Sequence, residues 1–200
     1  MSDLFFEKAK EFDASEMVGM LSSAVGASIL ENVNFHEQMD VMDFGAGTGL
    51  ISSYVAPLVN KIVAVDISEA MLDKLVSKPE LHGKVETICQ NILDEPIDTK
   101  FDLIMSAMAL HHIEDTQKLM KTFFYHLKSG AMLVLADLDK EDGSFHPEGT
   151  EGVFHSGFDR DALQIIIENS GFDSVQFFTA HTIDGVEKEY PVFLVIATKH

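Results

Sequence analysis

Apolar positions along the 200-residue chain fall into two alternating rhythms. Runs at 41–44, 62–65, 84–89, 101–106 and 131–136 have the length and bounding turn residues of strands, and 131–136 is fully apolar, as in a central strand buried on both faces. Between them lie segments whose apolar residues recur at helical spacing. In 68–77, Met71, Leu72 and Leu75 face inward, with Ser68 as the N-cap. A helix opened by Asp115 or Thr116 runs through Leu119, Phe123, Phe124 and Leu127 and ends at Ser129-Gly130. Another, capped by Asp159, points Leu163, Ile166 and Ile167 inward. Two helices, 4–13 and 15–33, precede the first strand. The second carries Met17, Met20, Leu21, Val25, Ile29 and Leu30 at helical spacing, with Ser15 as its cap. Strands alternating with helices predict a mainly parallel sheet with helices on both faces. The last two strand-like runs, 174–181 and 190–199, are separated only by the charged turn 184–188, so they pair antiparallel. The expectation is one α/β domain over 1–200: a doubly wound, seven-stranded sheet with a C-terminal antiparallel hairpin, preceded by a helical segment, 1–33.

The first strand runs into Gly45-Ala46-Gly47-Thr48-Gly49 and then into a helix heading towards Val59. Glycine lacks a Cβ, so it accepts positive φ and lets the backbone approach a ligand closely. The helix that follows offers unpaired N–H groups and the positive end of its dipole. In doubly wound sheets such a turn sits at the carboxyl edge of the strands, where ligands bind. Asp66 closes the second strand, 21 positions after Gly45. A carboxylate at that distance accepts hydrogen bonds from ribose hydroxyls and repels a ribose 2′-phosphate. The Gly-x-Gly-x-Gly spacing departs from the Gly-x-Gly-x-x-Gly of dinucleotide sites.

Charge narrows the partners. Fourteen Lys and Arg face 33 Asp and Glu, a formal net charge of −19. Polyanions draw their affinity from basic clusters, and none interrupts this balance, so nucleic acid and anionic membrane are not the expected partners. No apolar run is long enough to span a bilayer, and the first residues lack a secretory pattern, so a cytoplasmic location is expected. The single cysteine, Cys89, sits in an apolar strand pattern and reads as a buried, inert thiol.

The stretch "VMDFGAGTGL" resembles the first motif of the class I S-adenosylmethionine-dependent methyltransferases, and "IVAVDIS" their acidic post-motif. "FDLIMSAMALHHIED" looks like the fourth motif, "LKSGAMLVLAD" the fifth, and "FDRDALQIIIENSGF" the helix before the last strand pair. The resemblance runs in order from about Met39 to the C-terminus. It implies a Rossmann-like methyltransferase fold, S-adenosyl-L-methionine as cofactor and a small-molecule acceptor. It places Asp43, Gly45, Ala46, Gly47, Thr48 and Gly49 at the methionyl end and Asp66 and Ile67 at the ribose. Asn91, Ile92 and Leu93 fall at the adenine, and Ser106 beside the cofactor. The family usually has an aspartate where Asn91 stands. The N-terminal helices, with Phe5, Phe6 and Phe12, are expected either to cover the site or simply to pack on the sheet.

Three histidines are the candidates for catalysis. His111 and His112 follow the fourth strand, and adjacent residues do not share a face, so one is expected to pack while the other reaches the acceptor. No zinc-like spacing of ligands appears, so no metal is expected. His155, between Phe154 and Phe158, ends the polar, glycine-rich stretch 141–157, which reads as a functional loop or a disordered one. Two rivals share the glycine turn and Asp66. An NAD-dependent oxidoreductase is disfavoured by the glycine spacing and the hairpin finish. A non-catalytic cofactor-binding protein of the same fold is not distinguished by sequence.

Overall fold

The computed structural model describes Ala9 and residues 11–147, 149–185 and 188–200. Seven strands form one sheet: β1 (Asp40–Phe44), β2 (Lys61–Asp66), β3 (Val85–Cys89), β4 (Phe101–Ala107), β5 (Leu127–Leu138), β6 (Phe172–Asp184) and β7 (Glu189–Lys199). Their order is β3-β2-β1-β4-β5-β7-β6, parallel except for β7, which runs antiparallel to both β5 and β6. The helices are α1 (Glu16–Asn32), α2 (Leu50–Val55), α3 (Glu69–Val76), α4 (Thr116–His126) and α5 (Arg160–Asn169).

Side chains alternate across the strands, so the sheet has two cores. Val41, Ile62, Leu103 and Val134 meet Val25 and Ile29 of α1, Val55 of α2 and Leu75 of α3 on one face. Met42, Val63, Ile104 and Leu133 meet Leu119 and Phe123 of α4 and Leu163 and Ile167 of α5 on the other. The predicted caps are in place. Ser15 accepts from Val18 N, Ser68 from Met71 N, Asp115 from Lys118 N and Asp159 from Ala162 N. Winding reverses between β1 and β4, and this opens a crevice at their carboxyl ends.

Several expectations are corrected. Of the helix predicted over 4–13, Ala9 and Glu11 are helical among the described residues, and the chain ends it as a 3-10 turn at Phe12–Ala14; Phe5 and Phe6 lie outside the described residues. In α1 only Leu21, Val25, Gly26 and Ile29 are buried, whereas Met17, Met20 and Leu30 are exposed. The helix is apolar around more of its circumference than the sheet can cover. Helix α4 stops at His126, and residues 127–130 belong to β5. Lys199 Nζ, reaching from β7, donates to the carbonyls of Phe124 and Leu127 at 2.6 and 2.8 Å, satisfying the helix end early. Cys89 is exposed because β3 is an edge strand.

Candidate functional site

At the carboxyl ends of β1, β2 and β4 lies a cavity of about 570 Å³, with α1 along one wall. The three glycines of the loop beneath it all have positive φ but serve different ends. A Cβ on Gly45 would lie 2.5 Å from Ala109 Cβ, and one on Gly49 would lie 2.7 Å from Leu75 Cγ. Those two are glycine because the protein packs against them. Around a Cβ on Gly47 there is nothing within 4 Å. Gly47 therefore leaves open room at the cavity floor, at the centre of the loop.

The loop is fixed from β2. Gly45 N and Ala46 N donate to Val65 O at 2.8 and 3.2 Å. Gly47 N donates to Asp66 Oδ2 at 2.8 Å, and Ser68 N donates to Asp66 Oδ1 at 2.9 Å. The Asp66 carboxylate is thus oriented at the cavity wall by two backbone amides. Asp43 lies beneath, 2 % exposed, accepting from Ser52 Oγ at 2.6 Å. Burial pushes its carboxyl up to about 7, against the Ser52 hydrogen bond and with help from the negative charge of Asp66. Such a group favours a positive charge brought into the cavity beside it. Thr48 donates its hydroxyl to Asp13, whose other oxygen pairs with Lys78 Nζ at 2.8 Å. The segment before α1 is thereby tied to the glycine loop.

On the β2–β3 side, Ile67 is 60 % exposed, an apolar side chain left at the cavity wall together with Leu93. Asn91 also lines the cavity, but its side chain orders the local turn. Its Oδ1 accepts from Leu93 N at 3.1 Å and its Nδ2 donates to Asp94 Oδ2 at 2.7 Å. Two predicted contacts are not brought to the cavity. Ile92 is buried in the core with Val65 and Phe123, because the turn directs it under the sheet. Ser106 is buried and donates to Phe44 O at 2.8 Å, clamping β4 to β1.

On the β4–β5 side both adjacent histidines line the cavity, since the 3-10 turn Leu110–His112 brings their rings to 4.1 Å. His111 is buried and donates from Nδ1 to Asp137 Oδ1 at 2.8 Å. Asp137 accepts further from His111 N at 3.2 Å and Leu138 N at 2.8 Å. His112 is half-buried and donates from Nδ1 to Gly152 O at 2.6 Å. His146 stacks at 5.1 Å from His111 and joins the lining with Phe145.

His155 does not reach the cavity. Its Nε2 lies 2.9 Å from Ile113 O and 3.3 Å from Thr116 Oγ1, so the ring orders its own loop. Among its described residues that loop has no helix or strand, and hydrogen bonds order it. Glu141 accepts from the amides of Gly143, Ser144 and Phe145, and Phe154 N and His155 N both donate to His111 O. The sequence reading missed Phe145, His146, Met108 and Asp13. Met108 has a signal only in the structure, a φ of 55° in a residue other than glycine.

The sequence profile of the methyltransferase domain family matches residues 41–130. An uncharacterised methyltransferase of Schizosaccharomyces pombe is 32% identical over 155 residues, covering 69% of this chain. The chain spans 55% of that relative's length. Among solved structures, a SAM-dependent methyltransferase from Aquifex aeolicus superposes over the whole of both chains with a TM-score of 0.72 at 23% identity. A Haloferax volcanii methyltransferase solved with the Trm112 activator does so with a TM-score of 0.79 at 15% identity. At these identities the two structures speak to the fold alone. Together with the glycine loop and the amide-held Asp66, the profile and the relative place this chain among the class I S-adenosylmethionine-dependent methyltransferases.

Proposed function

We propose that the protein transfers the methyl group of S-adenosylmethionine to a small-molecule acceptor. The observation that carries the reading is the Asp66 carboxylate, aimed by Gly47 N and Ser68 N beside a glycine with open space around it. The cavity fits the cofactor on three counts. Asp66 supplies oxygens for ribose hydroxyls. Ile67 and Leu93 supply apolar walls for a purine. Asp43, a buried carboxyl raised by desolvation, is matched by a ligand that carries positive charge.

Bound there, the cofactor supplies a methyl carbon already activated by positive sulfur. What the chain must add is alignment and dryness. Gly47 permits close approach, Asp66 fixes rotation about the ribose, and the α1 side of the cavity excludes water. Orientation of this kind supplies about 7–11 kcal/mol of a displacement barrier.

Calorimetric titration of the protein with S-adenosylmethionine and, separately, with NAD tests the reading. Saturable binding of the first and none of the second is expected. Asp66→Ala should weaken the first by about 1.5–3 kcal/mol, the loss of hydrogen bonds to a charged acceptor. Unchanged affinity in that folded variant, or preference for NAD, would refute the assignment. Formation of S-adenosylhomocysteine in the presence of an acceptor library separates an enzyme from a binding protein.

A further inference from the structure

Resting on the methyl-transfer reading above, we propose that the acceptor is an uncharged, largely apolar molecule presenting a hydroxyl group, and that His111 Nε2 takes its proton. The sheet order places Asp66 and Asn91 on the β2–β3 side and leaves the β4–β5 side for the acceptor. Phe12, Met17, Met108 and Phe145 line the cavity together with the imidazoles of His111 and His146.

Among the described residues that lining holds no cation without an acidic neighbour. Lys118 is the one lysine of the cavity wall among the described residues, and it stands 3.7 Å from Asp94. The chain's single arginine, Arg160, is committed to Asp139 by bonds of 2.7 and 2.8 Å. Glu114 and Asp115, exposed at the rim, repel a phosphate or carboxylate. Deeper in on the β4–β5 side an ammonium meets no free carboxylate among the described residues, since Asp137, behind His111, already accepts three hydrogen bonds, and Asp43 lies on the cofactor side. An uncharged acceptor avoids both costs.

His111 is arranged to receive a proton. Its Nδ1–H is donated to Asp137, so the neutral ring carries its lone pair on Nε2. Among the described residues no group bonds to that nitrogen, and His111 belongs to the cavity wall. Asp137 is a positioning residue: it fixes the tautomer and faces the imidazolium once formed. As the acceptor oxygen bonds to the methyl carbon, the carbon–sulfur bond breaks and its electron pair stays on sulfur. The hydroxyl proton moves to Nε2 and passes afterwards to water.

Equilibrium binding of 2-naphthol, 2-naphthoate, 2-naphthyl phosphate and 2-naphthylmethylamine to the full chain tests both parts. The naphthol is expected to bind at least about tenfold tighter than each charged analogue. Bound at neutral pH, it should show the red-shifted absorption of the naphtholate. His111→Gln should abolish that band, and Asp137→Asn should move its onset to higher pH, with far-ultraviolet circular dichroism unchanged. Equal or tighter binding of a charged analogue, no binding of the naphthol, or a band that persists in His111→Gln overturns the inference. If both variants unfold, the analogue series on the parent decides. Titration with S-adenosylmethionine on the same samples reads the methyl-transfer function separately: its failure with the naphtholate band intact sinks that function alone.

Discussion

Replacing Asp43 by asparagine removes a charge that the folded protein accommodates poorly. Burial raises the Asp43 carboxyl from an ordinary 3.8 to about 7. Between those values the native state holds a proton that the unfolded chain has released. Native stability therefore falls as pH rises from about 4 to about 7 and levels off above. Three tenfold steps in proton affinity, each about 1.4 kcal/mol, set a ceiling of about 4 kcal/mol on the loss. Asparagine keeps an oxygen for the Ser52 hydroxyl, 2.6 Å away in the parent, and has nothing to titrate. In urea unfolding from pH 4.5 to 8.5, the variant without cofactor should gain on the parent up to about pH 7 and then hold a lead of a few kcal/mol. S-adenosylmethionine should reverse the order. Its positive charge should bind the parent more tightly as pH rises through 7 and the variant weakly at every pH. A parent-minus-variant difference that stays flat with pH refutes the argument, because the carboxyl is then not disfavoured by its burial.

The remaining predictions address the loop and the segment over it. Gly47→Ala should cost the protein about 1–2 kcal/mol for an L-residue at positive φ and weaken cofactor binding by more than tenfold. Gly45→Ala, which meets Ala109 Cβ at 2.5 Å, should lower stability further; urea unfolding and calorimetry on both variants separate packing from ligand approach. Asp13→Ala removes a partly exposed ion pair and should change global stability by less than about 1 kcal/mol. It should nevertheless accelerate amide exchange at the start of α1 several-fold, and unchanged exchange there would show that the Thr48 and Lys78 contacts do not hold the segment.

The strands themselves and the glycine turn were legible because both are local. Five strand-like runs, a hairpin with a short charged turn and a Gly-x-Gly-x-Gly loop each declare themselves within a few residues, and so does Asp66 at the end of its strand. What was not legible depends on partners far along the chain. Ile92 and Leu93 are neighbours of similar character, yet one enters the core and the other the cavity, as the turn built by Asn91 decides. Ser106 looks like a cofactor contact at a strand end, but β1 lies close enough to take its hydroxyl. The end of α4 shifted by several residues because Lys199, on the last strand, reaches its carbonyls. Cys89 was misread because an apolar pattern does not reveal which strand forms the edge of the sheet.

The same distance in sequence explains why His155 looked like the reactive histidine and His111 did not stand out from His112. His155 lies between two aromatics, a local signal, and its ring is spent on Ile113 O and Thr116. The distinguishing partner of His111 is Asp137, 26 positions later at the end of β5. The His111 backbone carbonyl also receives Phe154 N at 2.9 Å and His155 N at 3.3 Å. Those two bonds dock the 141–157 loop through main-chain atoms, so they survive a change of side chain at position 111. A glutamine there keeps the loop's anchor and a donor for Asp137 while removing the basic nitrogen. Loss of the naphtholate band in His111→Gln, with the fold intact, therefore reports on the proton acceptor and not on the docking of the loop.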